Sequence, residues 1–185
     1  MPELNAPELH GRFGTPYTYV DECASTQRLI GEHDPEGAVA VADHQTAGRG
    51  RLGRIWQDTA GRSLLLSVLL RPPAPMPLWP ELSLVAGNAV AAAIGHGSSV
   101  RPPNDVFLNG KKVAGILPEA TQGRVVLGIG INVNQPAEEL PADTVKPPTS
   151  LRVELGHEVD RAELLARVLV QLELAYGAWA QPYRR

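Results

Sequence analysis

Asn109-Gly110 falls between two apolar runs, Val106-Phe107-Leu108 and Lys111-Lys112-Val113-Ala114-Gly115-Ile116-Leu117. Both residues enter left-handed backbone at low cost, and this pair closes the two-residue turns whose twist matches that of paired strands. A hairpin is expected here, with Lys112 at the start of its second strand. Further strands are expected at 17–20, 38–43, 63–70 and 125–133, each an apolar or β-branched run bounded by turn residues. Ser25 or Thr26 is placed to cap a helix through Gln27, Leu29 and Ile30 toward Gly31. A second helix, 81–94, is rich in small residues and ends at Gly95-His96-Gly97. Asp160-Arg161-Ala162-Glu163 has the form of a capping box before a last helix through Trp179, with Leu164, Leu165, Val168, Leu172 and Tyr176 as its core stripe. Residues 72–77 read as a stiff proline connector and 136–148 as a loop. Periodicity thus supports alternating helices and strands with hairpins.

Residues 45–56 read Gln-Thr-Ala-Gly-Arg-Gly-Arg-Leu-Gly-Arg-Ile-Trp. Glycines let backbone approach an anion closely, and guanidinium forks match phosphate and carboxylate oxygens. Taken alone, such a segment suits a phosphate loop and a disordered RNA-binding tract equally. Its flanks, Ala38-Val39-Ala40-Val41-Ala42 and Leu64-Leu65-Leu66-Ser67-Val68-Leu69-Leu70, favour a loop slung between buried strands. The surrounding chain is mildly acidic, with 17 Lys and Arg against 20 Asp and Glu in 185 residues. That balance argues against general affinity for nucleic acid while allowing a local basic site. With 43% hydrophobic residues the chain can bury a sizeable core, and one domain over 1–185 is expected. Cys23 is the only cysteine, and the five histidines have no ligand spacing with it, so no structural metal and a cytoplasmic setting are expected. No leader-like N-terminus or membrane-spanning run is present, so no membrane association is expected.

Gly128-Ile129-Gly130-Ile131-Asn132 lacks the third glycine and the following helix of a dinucleotide fingerprint. Two accounts of these glycines stay open, a packing bulge or a close approach of ligand to backbone that would let Asn132 face a base edge. Lys112 has an equally plain alternative as a solvated charge beside the turn, and Asp105 as a turn residue at a strand end.

Taken in order, Ser25-Thr26-Gln27, Gln45 through Trp56, Arg101-Pro102-Pro103-Asn104-Asp105, Lys112 through Leu117 with Glu119, and Gly128 through Asn134 resemble the signatures of biotin protein ligases. Thr149-Ser150-Leu151-Arg152 and the last helix resemble the end of that family's catalytic domain. The resemblance implies an α+β fold, a mixed and largely antiparallel sheet flanked by helices, similar to the catalytic domain of class II aminoacyl-tRNA synthetases. It implies ATP-dependent formation of biotinyl-5′-AMP and transfer of biotin to a lysine of a biotin carboxyl carrier protein, with Mg²⁺ on the phosphates. By resemblance, Arg49, Arg51 and Lys112 supply positive charge to the reaction, with Asp105 assisting the carrier lysine. Ser25, Thr26, Gln45, Gly48, Arg49, Lys112 and Gly115 hold biotin. Arg51, Trp56, Asn104, Lys112 and Asn132 hold the adenylate.

Two positions depart from the pattern. Arg101-Pro102 stands where the family usually has Lys-Trp, and Arg51-Leu52 replaces a frequent arginine doublet. The length leaves room for neither the N-terminal helix-turn-helix nor the C-terminal SH3-like domain of many relatives, so no operator binding is expected. Relatives include monomers and homodimers. Two other functions compete, a lipoate-protein ligase and a module that binds biotin or adenylate without transfer.

Overall fold

The structure, a computed structural model, describes residues 4–121, 123–142 and 145–184. Seven strands, β1 (Tyr17–Cys23), β2 (Val39–Gln45), β3 (Ser63–Leu70), β4 (Ser99–Arg101), β5 (Asp105–Leu108), β6 (Lys111–Thr121) and β7 (Arg124–Asn132), form one sheet in the order β1-β2-β3-β7-β6-β5-β4. Only β1 and β2 pair in parallel; every other neighbouring pair is antiparallel. The helices are α1 (Leu82–Ile94), α2 (Leu151–Leu155) and α3 (Arg161–Ala180). This is the mixed, largely antiparallel α+β arrangement expected from the resemblance.

The hairpin between β5 and β6 turns at Asn109 and Gly110, both left-handed with φ of 50° and 78°, which is what a two-residue turn of this twist requires. Alternation then sorts the central strands into two faces. Leu64, Leu66, Val68 and Leu70 of β3 share a face with Val125, Leu127, Ile129 and Ile131 of β7, and these pack with α1 and α3 in one core. Ser63, Leu65, Ser67 and Leu69 lie on the opposite face with Val126, Gly128, Gly130 and Asn132. Gly115, Leu117 and Glu119 of β6 join that second face opposite Gly130, Gly128 and Val126.

Several expectations are corrected. The helix after Ser25 is a single 3-10 turn, Thr26–Arg28, and the Ser25 side chain caps nothing. Thr26 instead donates its backbone N–H to Gln45 Oε1, and its hydroxyl bonds Ser67 at 2.8 Å, so tertiary hydrogen bonds replace a helix. The proline connector already turns helical at Met76, where a 3-10 segment runs to Glu81. Asp160 accepts from the N–H groups of Ala162 and Glu163, as expected of a cap, but the Glu163 side chain is paired with Arg167 rather than completing a capping box. Strand β4 is three residues, exposed at Ser99 and Arg101 and half-buried at Val100, too short to show a period in sequence. Helix α2, capped by Ser150 accepting from the Val153 N–H, follows the loop 136–148. Of that loop, Asp143 and Thr144 lie outside the described residues. Among the described residues no helix is long and apolar enough to cross a membrane.

Candidate active site

The sheet face turned away from α1 and α3 carries a cavity of about 930 Å³. Its floor is glycine. Gly115 and Gly130 are direct cross-strand partners, and the Trp56 indole lies over both. A Cβ on Gly130 would stand 2.6 Å from a Trp56 ring carbon, and one on Gly128 would stand 3.0 Å from the Gln27 amide. The register through Gly128 and Gly130 is regular on both sides. Of the two accounts left open by the sequence, the regular register excludes the bulge, and the groups that come close to these glycines are the chain's own Trp56 and Gln27. The Trp56 indole N–H is buried and has no acceptor among the described residues. A buried donor left without a partner costs about 1–3 kcal/mol, which an acceptor entering the cavity would recover.

A bulge does occur one strand away. Val106 pairs with Ala114 but Phe107 pairs with Lys112, so Val113 is an extra residue in β6. Val113 and Ala114 therefore both point into the helix-side core. Without this slip, alternation would place Lys112 on the helix side; with it, Lys112 shares the cavity face with Gly115. Its Nζ lies 2.8 Å from Asp105 Oδ1 and 5.6 Å from the centre of the Trp56 ring. The same strand start is tied down by backbone bonds, Lys112 N–H to the Pro147 carbonyl and Thr149 N–H to the Lys112 carbonyl, each 2.8 Å.

Asp105, only 3% exposed, lies opposite Gly115 and accepts a second ammonium, Lys146, at its other oxygen. Burial alone would push this carboxyl up, yet hydrogen bonds and charge from Lys112 and Lys146 hold it below the ordinary carboxylate range. A carboxylate so held is a poor proton acceptor. Both oxygens of the carboxylate are engaged, one by each lysine.

The Gly-Arg segment is ordered. Gly48 and Trp56 pair through a backbone bond of 3.0 Å, Gly50 donates to the Arg54 carbonyl at 2.8 Å, and Arg49 bridges Ile55, making a small hairpin. Leu52 and Gly53 take left-handed φ at its tip. Gly48 is not among the lining residues, and a Cβ there would meet the Trp56 carbonyl at 2.5 Å, so a glycine at this position permits the hairpin to close. Arg49 is held 2.6 Å from Glu119 and 3.3 Å from Gln27. Arg51 and Arg54 are exposed at the rim and form no ion pair among the described residues. Among the described residues the wall thus carries five cations, Arg49, Arg51, Arg54, Lys112 and Lys146, against the single carboxylate of Asp105. In a chain of net charge −3, that concentration marks an anion site.

The uncharged polar groups of the wall are smaller. Ser25, Thr26 and Gln45 line the cavity, with Gln45 Oε1 accepting from Thr26 twice, at 2.8 and 3.2 Å. Asn104 lines it too; its side-chain amide donates to the Ile116 carbonyl and its backbone carbonyl accepts from the Ile116 N–H, both at 2.9 Å. Asn132 donates to the Thr149 carbonyl at 3.0 Å and accepts from Gln135 at 3.2 Å. What remains of the Asn132 amide for a ligand is one N–H and one lone pair. No group of three or more His, Cys, Asp or Glu among the described residues is placed to hold a metal ion.

The structure brings Ser25, Thr26, Gln45, Arg49, Arg51, Trp56, Asn104, Asp105, Lys112, Gly115 and Asn132 together in one wall. Sequence reasoning missed Gln27, Arg54 and Lys146 as wall residues. Gln27 and Arg54 stand inside segments already conspicuous in sequence; Lys146 is a lone cation in a proline-rich loop, with no local pattern to mark it.

Residues 22–135 match the model of the biotin/lipoate A/B protein ligase family. The chain is 40% identical over 171 residues to the bifunctional ligase/repressor BirA of Bacillus spizizenii, covering 85% of this chain and 53% of that protein. It is 43% identical over 155 residues to the biotin--[acetyl-CoA-carboxylase] ligase of Mycobacterium tuberculosis, covering 79% and 56%. The chain spans about half the length of these curated relatives. Among solved structures, the biotin protein ligase of Aquifex aeolicus in complex with biotin and ATP superposes with a TM-score of 0.79 at 37% identity, covering 88% of this chain and 71% of that one.

Proposed function

The chain belongs to the biotin/lipoate A/B protein ligase family, and from that premise we propose that it is an ATP-dependent biotin protein ligase acting in the cytoplasm on a biotin carboxyl carrier domain. The observation that carries this is the cavity itself, whose wall brings a glycine floor and the hydroxyl and amide groups of Ser25, Thr26 and Gln45 together with five cations. Biotin offers a ureido ring that needs fixed polar partners in an otherwise apolar slot, and Ser25, Thr26 and Gln45 provide them beside the glycine floor. Its carboxylate would point toward the cations.

In the first step a carboxylate oxygen bonds the α-phosphorus of ATP while the bond to the leaving pyrophosphate breaks. Two anions are brought together, so positive charge fixed in a water-poor site lowers the barrier. Arg49 and Lys112 are placed to do this, Arg49 by exchanging Glu119 for ligand and Lys112 by reaching past the bulge. Arg51 and Arg54 meet the phosphates from the rim, and the Trp56 indole N–H and ring meet the adenylate from above the floor. In the second step the neutral amine of the carrier lysine attacks the acyl carbon, AMP leaves and an amide remains. Magnesium would travel with the nucleotide's phosphates, since the wall's one carboxylate is occupied by two lysines.

Purified chain, biotin, MgATP and a carrier domain test the proposal in one tube. Biotin-dependent pyrophosphate release with a biotin-sized mass gain on the carrier supports it. Pyrophosphate without mass gain would limit the chain to adenylate formation. No release from folded protein, or labelling only with lipoate, would overturn it.

A further inference from the structure

We infer that Asp58 and His44 are positioning residues of the cavity: their pair fixes the stretch of chain that carries Trp56, and so governs how long an adenylate is retained. The identity of that ligand rests on the proposed function; the geometry of the pair does not. Neither residue lines the cavity. The Asp58 side chain is nonetheless only 1% exposed. Its Oδ2 lies 2.9 Å from His44 Nδ1, and its Oδ1 accepts from the Gln45 N–H at 3.3 Å. An ionised carboxylate can only accept, so Nδ1 carries a proton whether or not the ring is charged. His44 and Gln45 are the last two residues of β2. One buried side chain therefore ties the chain leaving the Gly-Arg hairpin to the strand that enters it.

The backbone does little of this work. Among the described residues, the only backbone hydrogen bond of 57–60 is the one that the Thr59 carbonyl accepts from Arg62, within the same turn. Trp56 donates its N–H to the Gly48 carbonyl, which belongs to the hairpin itself. The entering leg is held separately, with the N–H groups of Thr46 and Ala47 donating to the Cys23 and Ala24 carbonyls at 2.9 Å each. The pair thus acts on two wall residues without touching a ligand. One is Gln45, whose Oε1 accepts from Thr26; the other is Trp56, whose ring covers Gly115 and Gly130. Loss of His44 would leave a buried carboxylate with a single long N–H bond, so the two side chains work only together.

Hydrogen–deuterium exchange of the ligand-free chain reads the pair directly, and dissociation of biotinyl-5′-AMP formed in place from biotin and MgATP reads its consequence. The variants are Asp58→Ala, Asp58→Asn, His44→Ala and Asp58→Ala/His44→Ala, each checked by thermal melting. Asp58→Ala should speed exchange in a peptide covering 48–58, leave β3 unchanged, and release adenylate roughly 10-fold faster, the effect of losing one hydrogen bond to a charged group. Asp58→Asn can accept from Gln45 and donate to the imidazole, and should restore most of the retention. His44→Ala should also release adenylate faster, and the double variant no faster than Asp58→Ala. Release at the parent rate in Asp58→Ala overturns the inference. So does an asparagine variant no better than alanine, or exchange that rises equally in β3, since each would mark a general structural role. No adenylate from the unaltered chain, with faster exchange in Asp58→Ala still confined to 48–58, would overturn the ligase function and leave the pair holding the Trp56 segment.

Discussion

The two faces of the same central strands are built on opposite plans. Toward the helices, β3 and β7 present Leu64, Leu66, Val68, Leu127, Ile129 and Ile131, almost wholly buried and interlocked with α1 and α3. On the other face the same strands present Ser63, Ser67, Gly128, Gly130 and Asn132 beside Leu65, Leu69 and Val126. The first face stabilises by excluding water from large side chains; the second leaves room and supplies hydrogen bonds. Strand alternation lets one segment serve both ends, so substitutions one residue apart should fail in different ways.

The largest expected effect is on the packed face. Leu127→Ala should cost about 2–5 kcal/mol of stability, read from urea denaturation, by opening a cavity beneath α1 and α3. Its remaining folded fraction should keep normal catalysis, and an equally large loss of pyrophosphate release per folded molecule would break the division between faces. Next is Lys112→Ala, expected to slow adenylate formation by about 10²–10³-fold with far less effect on biotin affinity. A variant that melts normally and adenylates normally would remove Lys112 from the reaction.

Gly130→Ala should be milder for folding, about 1–3 kcal/mol, because the added methyl meets the Trp56 ring and not backbone. The ring must move, so intrinsic fluorescence should change and biotin binding weaken. An unchanged spectrum with full binding would show that the glycine floor is dispensable. The smallest effect concerns Asp105→Asn. Lys112 and Lys146 hold the Asp105 carboxyl low in the fold, so its stabilising contribution is complete above the ordinary carboxylate pKa of about 3.9 and disappears as pH falls through the lowered value. The variant should therefore be less stable than the parent near neutrality, and the gap should close below about pH 4. A gap that stays constant into acid would mean that Asp105 contributes by shape and not by charge.

Much of this architecture was legible in sequence where the signal is short-ranged. The run 63–70 became β3 with the same bounds, the small-residue segment 81–94 became α1 less one residue, and Asn109-Gly110 made its turn. Ordered signatures also gathered most of the cavity wall. What failed did so for nameable reasons. Ser25-Thr26-Gln27 carries the chemistry of a helix start, but Gln45 and Ser67, 19 and 41 residues from Thr26, take its hydrogen bonds instead.

Residue chemistry and period alone specified the hairpin and the strands that would be buried. Only the folded sheet decided which face each of those residues joined. The extra residue at Val113 turns Lys112 toward the cavity, a register choice that depends on how β6 lies against β5. Lys146 meets Asp105 across 41 residues of chain. Turn and alternation signals reach only a few residues, whereas the charge at this site is the sum of groups brought together by closing much longer loops.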